Sequence, residues 1–192
     1  MPTDFEVRPL HAFTREEVWP LLSGYDTNEI YAVEKSESDA RILFDMRLTR
    51  LERPFHDDFY ADFTPQDCAW YQSLAAKGGA LGAYQGERWI GLAIGEALPE
   101  ERYFRVWEFH VLAGFRRGGV GQALMDGMER LARAVGLPAL MLETQNTNAG
   151  AVRFYRRMGF TLESIDLSPP QYANLGENNA GQVAFYMKRR LD

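Results

Sequence analysis

From position 113 to 121 the chain reads Ala-Gly-Phe-Arg-Arg-Gly-Gly-Val-Gly, three glycines in four residues set directly before a helix-period repeat. Residues 103–112 upstream are rich in aromatic and β-branched types and read as a strand. Downstream, Val120, Leu124, Met128, Leu131 and Val135 follow the spacing of one buried helix face, which Gly136 and Pro138 bring to an end. Strand, glycine turn and amphipathic helix in this order commit the chain to an α/β fold. We expect Gly118, Gly119 and Gly121 to take positive φ and, lacking side chains, to let a bulky anion approach the main chain. The helix start near Val120 adds orphan N–H groups and a positive dipole end, and Arg116 and Arg117 add guanidinium charge. A diphosphate suits such a turn. It is not a P-loop, since no Gly-Lys-Ser/Thr follows, and its glycine spacing is not that of a dinucleotide fingerprint.

The rest of the chain supplies further strands and helices. Residues 5–10 read as an edge strand, and Thr14 can cap a helix that carries Glu16 and Glu17 in its first turn and ends near Gly24. Thr64 and Pro65 start a helix through Lys77, closed by Gly78 and Gly79. Residues 80–84 and 88–96, separated by Gln85-Gly86-Glu87, outline a hairpin. A strand over 140–143, a helix over 148–158 stopped by Gly159, and strands over 161–167 and 182–188 complete the order. The expectation is a mixed central sheet flanked by helices on both faces. Residues 25–65 show no clean period: 41–48 fits a strand or part of a helix, and 52–62 mixes aromatics with acids.

Composition bounds the partners. With 192 residues, 46% of them hydrophobic, the chain can bury one core, and no linker divides it, so a single domain over 1–192 is expected. A formal charge of −6 argues against a nucleic-acid surface and suits a cationic partner. Cys68 is the single cysteine, so no disulfide forms within the chain and no metal-ligand spacing arises. The first ten residues lack the pattern of a secretion signal and no run is apolar enough for a membrane span, so a cytoplasmic protein is expected.

Two segments carry a resemblance. Arg116-x-x-Gly119-x-Gly121 after a strand looks like the acetyl-coenzyme A (acetyl-CoA) signature of the GNAT N-acetyltransferases. The segment Asn148-Ala149-Gly150-Ala151-Val152-Arg153-Phe154-Tyr155-Arg156-Arg157-Met158-Gly159-Phe160 is similar to that family's Asn-x-x-Ala-x-x-Phe-Tyr-x-x-x-Gly-Phe, at the expected distance downstream. Within the superfamily, Leu140-Met141-Leu142-Glu143-Thr144-Gln145, Asn148 and Asp166 resemble streptothricin acetyltransferases, which acylate the β-lysine amine of an antibiotic. The resemblance implies the GNAT fold, acetyl-CoA as co-substrate and a small-molecule primary amine as acceptor. A peptide acceptor, or a non-catalytic acetyl-CoA-binding regulator, would share much of the same sequence.

By the same resemblance the coenzyme contacts fall to Val111, Leu112, Ala113, Arg116, Arg117, Gly118, Gly119, Val120, Gly121, Gln122, Asn148 and Tyr155. An aliphatic amine, with a pKa of ~10.4, must lose a proton before it attacks a thioester. Strand alternation places Val106, Glu108 and His110 on one face and Trp107, Phe109 and Val111 on the other. The family's base or water relay is often an acid on this strand, which implies Glu108 first and His110 second. A structural hydrogen bond explains Glu108 nearly as well. The amide of Val111 is the implied oxyanion donor, and Val111 and Ala113 would hydrogen-bond the pantetheine arm as a strand does. Tyr155 matches the family's proton donor to the departing thiolate; its bland alternative is a core aromatic paired with Phe154. For Asn148 a plain N-cap competes with a coenzyme contact. Acidic residues Glu34, Glu37, Asp39, Asp45, Asp57, Asp58 and Asp62 could line a cation pocket or be solvated. Phe55, Phe59, Tyr60 and Phe63 could close over a substrate or staple a loop to the core. The strand over 183–187 is a candidate to join two copies into a homodimer.

Overall fold

The computed structural model describes residues 4–22, 24–57, 63–168 and 182–191. Contacts group the chain into two compact units, one of Met1–Gly24, Asp58–Leu142 and Arg189–Asp192, the other of Tyr25–Asp57 and Glu143–Lys188. Asp58, Phe59, Tyr60 and Asp62 lie outside the described residues.

The first unit holds strands β1 (Glu6–Pro9), β4 (Ala80–Gln85), β5 (Arg88–Leu98), β6 (Tyr103–Val111) and the start of β7 (Ala139–Gln145), in the order β1-β4-β5-β6-β7. All pairs are antiparallel except β6 with β7, which runs parallel over Phe104–Val106 and Leu140–Leu142, so the sheet is mixed. β1 is the edge strand expected of residues 5–10, and Gly86, at φ 58°, makes the tight turn from β4 to β5. Alternation along β5 sends Leu92 and Ile94 to one face and Gly91 to the other. Leu92 and Ile94 join Leu10, Phe13, Val18, Leu21, Phe63, Cys68 and Leu74 in one core cluster. On the opposite face lies α3 (Val120–Ala134), and a side chain at Gly91 would reach Leu124 and Val120 at 3.0 and 3.1 Å. Helices therefore cover both faces, as the element order implied.

Caps decide the helix starts. α1 (Arg15–Val18) and α2 (Pro65–Ala76) both begin with reciprocal capping boxes, Thr14 with Glu17 and Thr64 with Asp67. α1 is shorter than expected. Pro20 lacks an N–H to continue the ladder, and residues Trp19–Leu21 tighten into a 3-10 turn that stops the helix well before Gly24. In α3 the buried stripe is Val120, Leu124, Met125, Met128 and Ala132, while Val135 is exposed at the C-cap.

The second unit contains a long antiparallel hairpin, β2 (Tyr25–Ser38) with β3 (Arg41–Asp57), in the region where no period was legible. Its register jumps between Thr27, opposite Phe55, and Glu29, opposite Arg50, so residues 51–54 bulge out of β3. The end of β7 lies beside β9 (Ala184–Arg190), which lies beside β8 (Thr161–Asp166). β9 has a neighbour on each side, so it offers no free edge through which the strand over 183–187 could join two sheets. α4 (Ala149–Arg157) is tied to β2 by the Arg153–Glu29 ion pair at 2.6 Å. Among the described residues no helix is long and apolar enough to cross a membrane.

Candidate functional site

The expected anion turn leaves β6 at Val111. Leu112 N–H donates to the Ile90 carbonyl at 3.0 Å, which makes Ile90 and Leu112 a hydrogen-bonded pair and the adjacent Gly91 and Val111 a non-hydrogen-bonded one. The N–H and C=O of Val111 therefore point away from β5. The Val111 carbonyl accepts from Arg116 Nε at 3.0 Å, so part of the Arg116 guanidinium is committed to the strand end. Between them Ala113–Phe115 make one 3-10 turn, closed by Phe115 N–H on the Leu112 carbonyl at 2.8 Å.

Left-handed backbone occurs at Arg117, φ 64°, and Gly119, φ 88°, and not at Gly118 or Gly121. Gly121 already lies in α3, whose φ any residue adopts; the reversal of direction is absorbed one residue on each side of Gly118. Arg117 pays a steric cost there that glycine would not. A Cβ added at Gly114 or Gly119 would meet nothing within 4 Å, so the turn is open over both.

α3 begins differently from its fellows. α1, α2 and α4 each start under a side-chain cap, from Thr14, Thr64 and Asn148, whereas α3 starts at Gly119 with no side-chain cap hydrogen bond. Its first ladder bond runs from Ala123 N–H to the Gly119 carbonyl at 3.0 Å. Val120, Gly121 and Gln122 therefore present N–H groups with no acceptor inside the helix. The Val120 side chain is buried, and Gln122 Nε2 reaches Asp126 at 3.4 Å, so these residues offer an anion their main chain.

On the same β6, Glu108 is buried, 4% exposed, and accepts from two sides: the Tyr71 hydroxyl of α2 on Oε1, and His110 Nε2 on Oε2 at 2.6 Å. Glu108 and His110 thus share a face. Strict alternation fails one residue earlier, where the register passes from Gly95 opposite Val106 to Ile94 opposite Glu108 and leaves Trp107 as a bulge. Both neighbours then meet α2: Trp107 lies edge-on to Trp70 at 4.9 Å and Glu108 meets Tyr71. Burial, then the Glu108 carboxylate, pushes the Tyr71 phenol far above its ordinary range. Phe63 stacks on Tyr71 at 6.1 Å and is buried, so it staples its segment to the core. Tyr71 escaped the sequence reading, since nothing in the spacing of residues 71 and 108 signals their meeting.

In the second unit Asn148 caps α4, its Oδ1 accepting from Ala151 N–H at 3.1 Å; a coenzyme contact would fall to its Nδ2. Tyr155 is buried, its ring 5.4 Å from Phe154 and 5.8 Å from Phe160. Of the five candidate acids that lie within the described residues, Asp57 alone is buried. Its Oδ2 accepts from Tyr25 Oη and Gln182 Nε2, each at 3.0 Å, and Tyr25 Oη also meets Thr147 Oγ1 at 2.7 Å. Glu34, Glu37 and Asp39 are exposed along the hairpin, and Asp45 pairs with Arg47.

A Streptomyces lavendulae streptothricin acetyltransferase is 38% identical over 80 residues, 42% of this chain and 40% of that protein. The chain spans less than half the length of the curated relatives it matches. Two solved structures share the fold over 98% of this chain. A nourseothricin acetyltransferase superposes with TM-score 0.73 at 23% identity, over 99% of its own chain. A Bacillus anthracis protein assigned as a streptothricin acetyltransferase, in complex with acetyl coenzyme A, superposes with TM-score 0.72 at 19% identity, over 100% of its chain. The sequence pattern of the acetyltransferase (GNAT) family matches residues 41–160, most of the chain, and takes in both the turn at Gly119 and the helix of Tyr155. With the bare helix start at Gly119 following a strand whose last residue turns its main chain away from its neighbour, that match establishes that the chain belongs to the GNAT acetyltransferase family.

Proposed function

We propose that this chain is an acetyl-CoA-dependent N-acetyltransferase acting on a primary amine of a small cationic molecule of the streptothricin type. The observation that carries the reading is the α3 N-terminus, left without a side-chain cap beneath an open turn. Main-chain N–H groups of residues 120–122, with charge from Arg116 and Arg117, would hold the diphosphate. The streptothricin and nourseothricin relatives and the net charge of −6 support a cationic acceptor. We read residues 1–192 as one domain, since the family match runs through both compact units.

The chemistry follows from the residues in hand. Val111 and Ala113 would bond the pantetheine arm through their main chain, and Val111 N–H would donate to negative charge developing on the thioester oxygen. Glu108, with His110 hydrogen-bonded to it, would take up the proton the ammonium must lose. Tyr155 would return a proton to the departing sulfur. Asn148 would add a coenzyme contact to its capping bond.

The test is calorimetric titration with acetyl-CoA, followed by a thiol-release assay across streptothricin, aminoglycosides, polyamines, amino acids and peptides. Turnover with cationic small molecules is the expected result. Turnover with peptides alone would move the acceptor to protein. Tight acetyl-CoA binding without any turnover would make the chain a regulatory module, and failure to bind acetyl-CoA would overturn the reading.

A further inference from the structure

We infer that Tyr71 is a positioning residue for proton removal: from α2 it holds the buried Glu108 carboxylate so that the second oxygen is directed at His110. The inference rests on the transferase reading for its purpose and on geometry for its substance. A carboxylate that is 4% exposed has lost most of its hydration, and it stays ionised only where protein donors replace water. Two such donors are in place, Tyr71 Oη on Oε1 and His110 Nε2 on Oε2.

The two donors are not equivalent. An imidazole can give up or take up a proton under working conditions, whereas the Tyr71 phenol, pressed upward by burial and by its own carboxylate partner, stays a donor. Tyr71 is therefore the permanent half of the pair and His110 the exchangeable half. α2 is built to hold the phenol still: the capping box of Thr64 and Asp67 fixes its start, Trp70 packs on Trp107, and Phe63 stacks on the Tyr71 ring. Tyr71 of α2 and His110 of β6 meet Glu108 directly; nearby, Asp67 of α2 acts on Tyr71, and Arg105 of β6 and Glu96 of β5 both meet the Trp107 ring, Glu96 by accepting from Nε1 at 3.2 Å.

The sign is the same whichever group takes the substrate proton. Removing the phenol hydroxyl deprives the ionised carboxylate of a hydrogen bond, so Glu108 binds a proton more readily. The less satisfied carboxylate also holds His110 more firmly in its charged form. In Tyr71→Phe the NMR titration of the His110 imidazole should move upward by about one pH unit, a tenfold change in its protonation constant. The acid limb of kcat/KM should move the same way while acetyl-CoA affinity, read by calorimetry, stays put. Three histidines in the chain keep the imidazole signals assignable. An unmoved His110 titration in folded Tyr71→Phe overturns the inference. Should that variant fail to fold, Glu108→Gln serves instead: with the carboxylate that links the two donors gone, the His110 titration should move downward, and an unmoved titration is equally fatal. Because the titrations need no turnover, they fail independently of the transferase assignment, which stands or falls on acetyl-CoA binding.

Discussion

Gly119→Ala separates what the backbone needs at the head of α3 from what a ligand needs. Gly119 has φ 88°, and a Cβ there would meet nothing within 4 Å, so the methyl group clashes with no part of the protein. The cost in the free protein is conformational, about 1–2 kcal/mol for an L-residue in the left-handed region. For a chain of this size each kcal/mol lowers Tm by about 2–4 °C, so the loss is about 2–8 °C. Gly114 is equally open but does not have positive φ, so Gly114→Ala should leave Tm within about 2 °C of the parent. Coenzyme binding carries a separate term. The methyl group stands at the helix start, where N–H groups of residues 120–122 would bond a diphosphate, and losing one charge-assisted hydrogen bond costs about 1.5–3 kcal/mol. That is a rise in Kd of about tenfold to a hundredfold. Differential scanning fluorimetry reads the first effect and calorimetric titration with acetyl-CoA the second. If Tm falls as expected and Kd does not change, the diphosphate does not lie at this turn. If Tm does not fall, the left-handed geometry at Gly119 is wrong.

Tyr155→Phe should lower kcat at least tenfold and leave acetyl-CoA affinity within about twofold, since the ring packing on Phe154 and Phe160 survives; equal turnover in the two proteins removes Tyr155 from the acid role. Gly127→Ala places a methyl group well inside contact distance of Leu81 Cδ1 in the packed α3–β4 seam, and thermal melts should show a loss of about 1–3 kcal/mol. Hydrogen bonds from Arg133 and the nearby Arg189 hold the Glu129 carboxyl below its ordinary range. Its stabilising contribution is present above the unfolded value of about 4.3 and is lost as pH falls through the lower folded value. Glu129→Gln should therefore flatten the decline of Tm below about pH 4.3, and parallel Tm profiles for the two proteins would refute the pairing.

The parts that could be read from the sequence are those in which each residue answers to near neighbours. Thr64, Pro65 and Asp67 specify the start of α2 among themselves, and Val120, Leu124 and Met128 specify the buried face of α3, whatever the rest of the chain does. The hairpin of β2 and β3 lacked such a signal for a physical reason. The face bearing Tyr31, Val33, Met46 and Leu48 is interrupted by Lys35 and Glu37, and Ile42, Phe44 and Leu48 remain exposed, so burial imposes no clean period of two. Its tight turn is Asp39-Ala40 with no glycine, and Pro54 falls in the bulged residues, so the usual strand punctuation is missing as well.

The site divides along the same line. The turn at Gly119 announces itself because glycines, arginines and a helix start must be contiguous to gather main-chain donors. Glu108 could be singled out on its strand, but its environment could not, because that depends on a bulge at Trp107 and on a phenol from a helix 37 residues earlier. A one-residue bulge shifts the phase of the alternation by one step, a change that a strand of nine residues is too short to reveal in its sequence, yet it turns two successive side chains toward α2. The carboxylate's hydrogen bonds to Tyr71 and His110 are thus a property of how α2 and β6 meet. Substitutions in α2 that shift Tyr71, far from either recognisable motif, should consequently act on proton removal before they act on coenzyme binding.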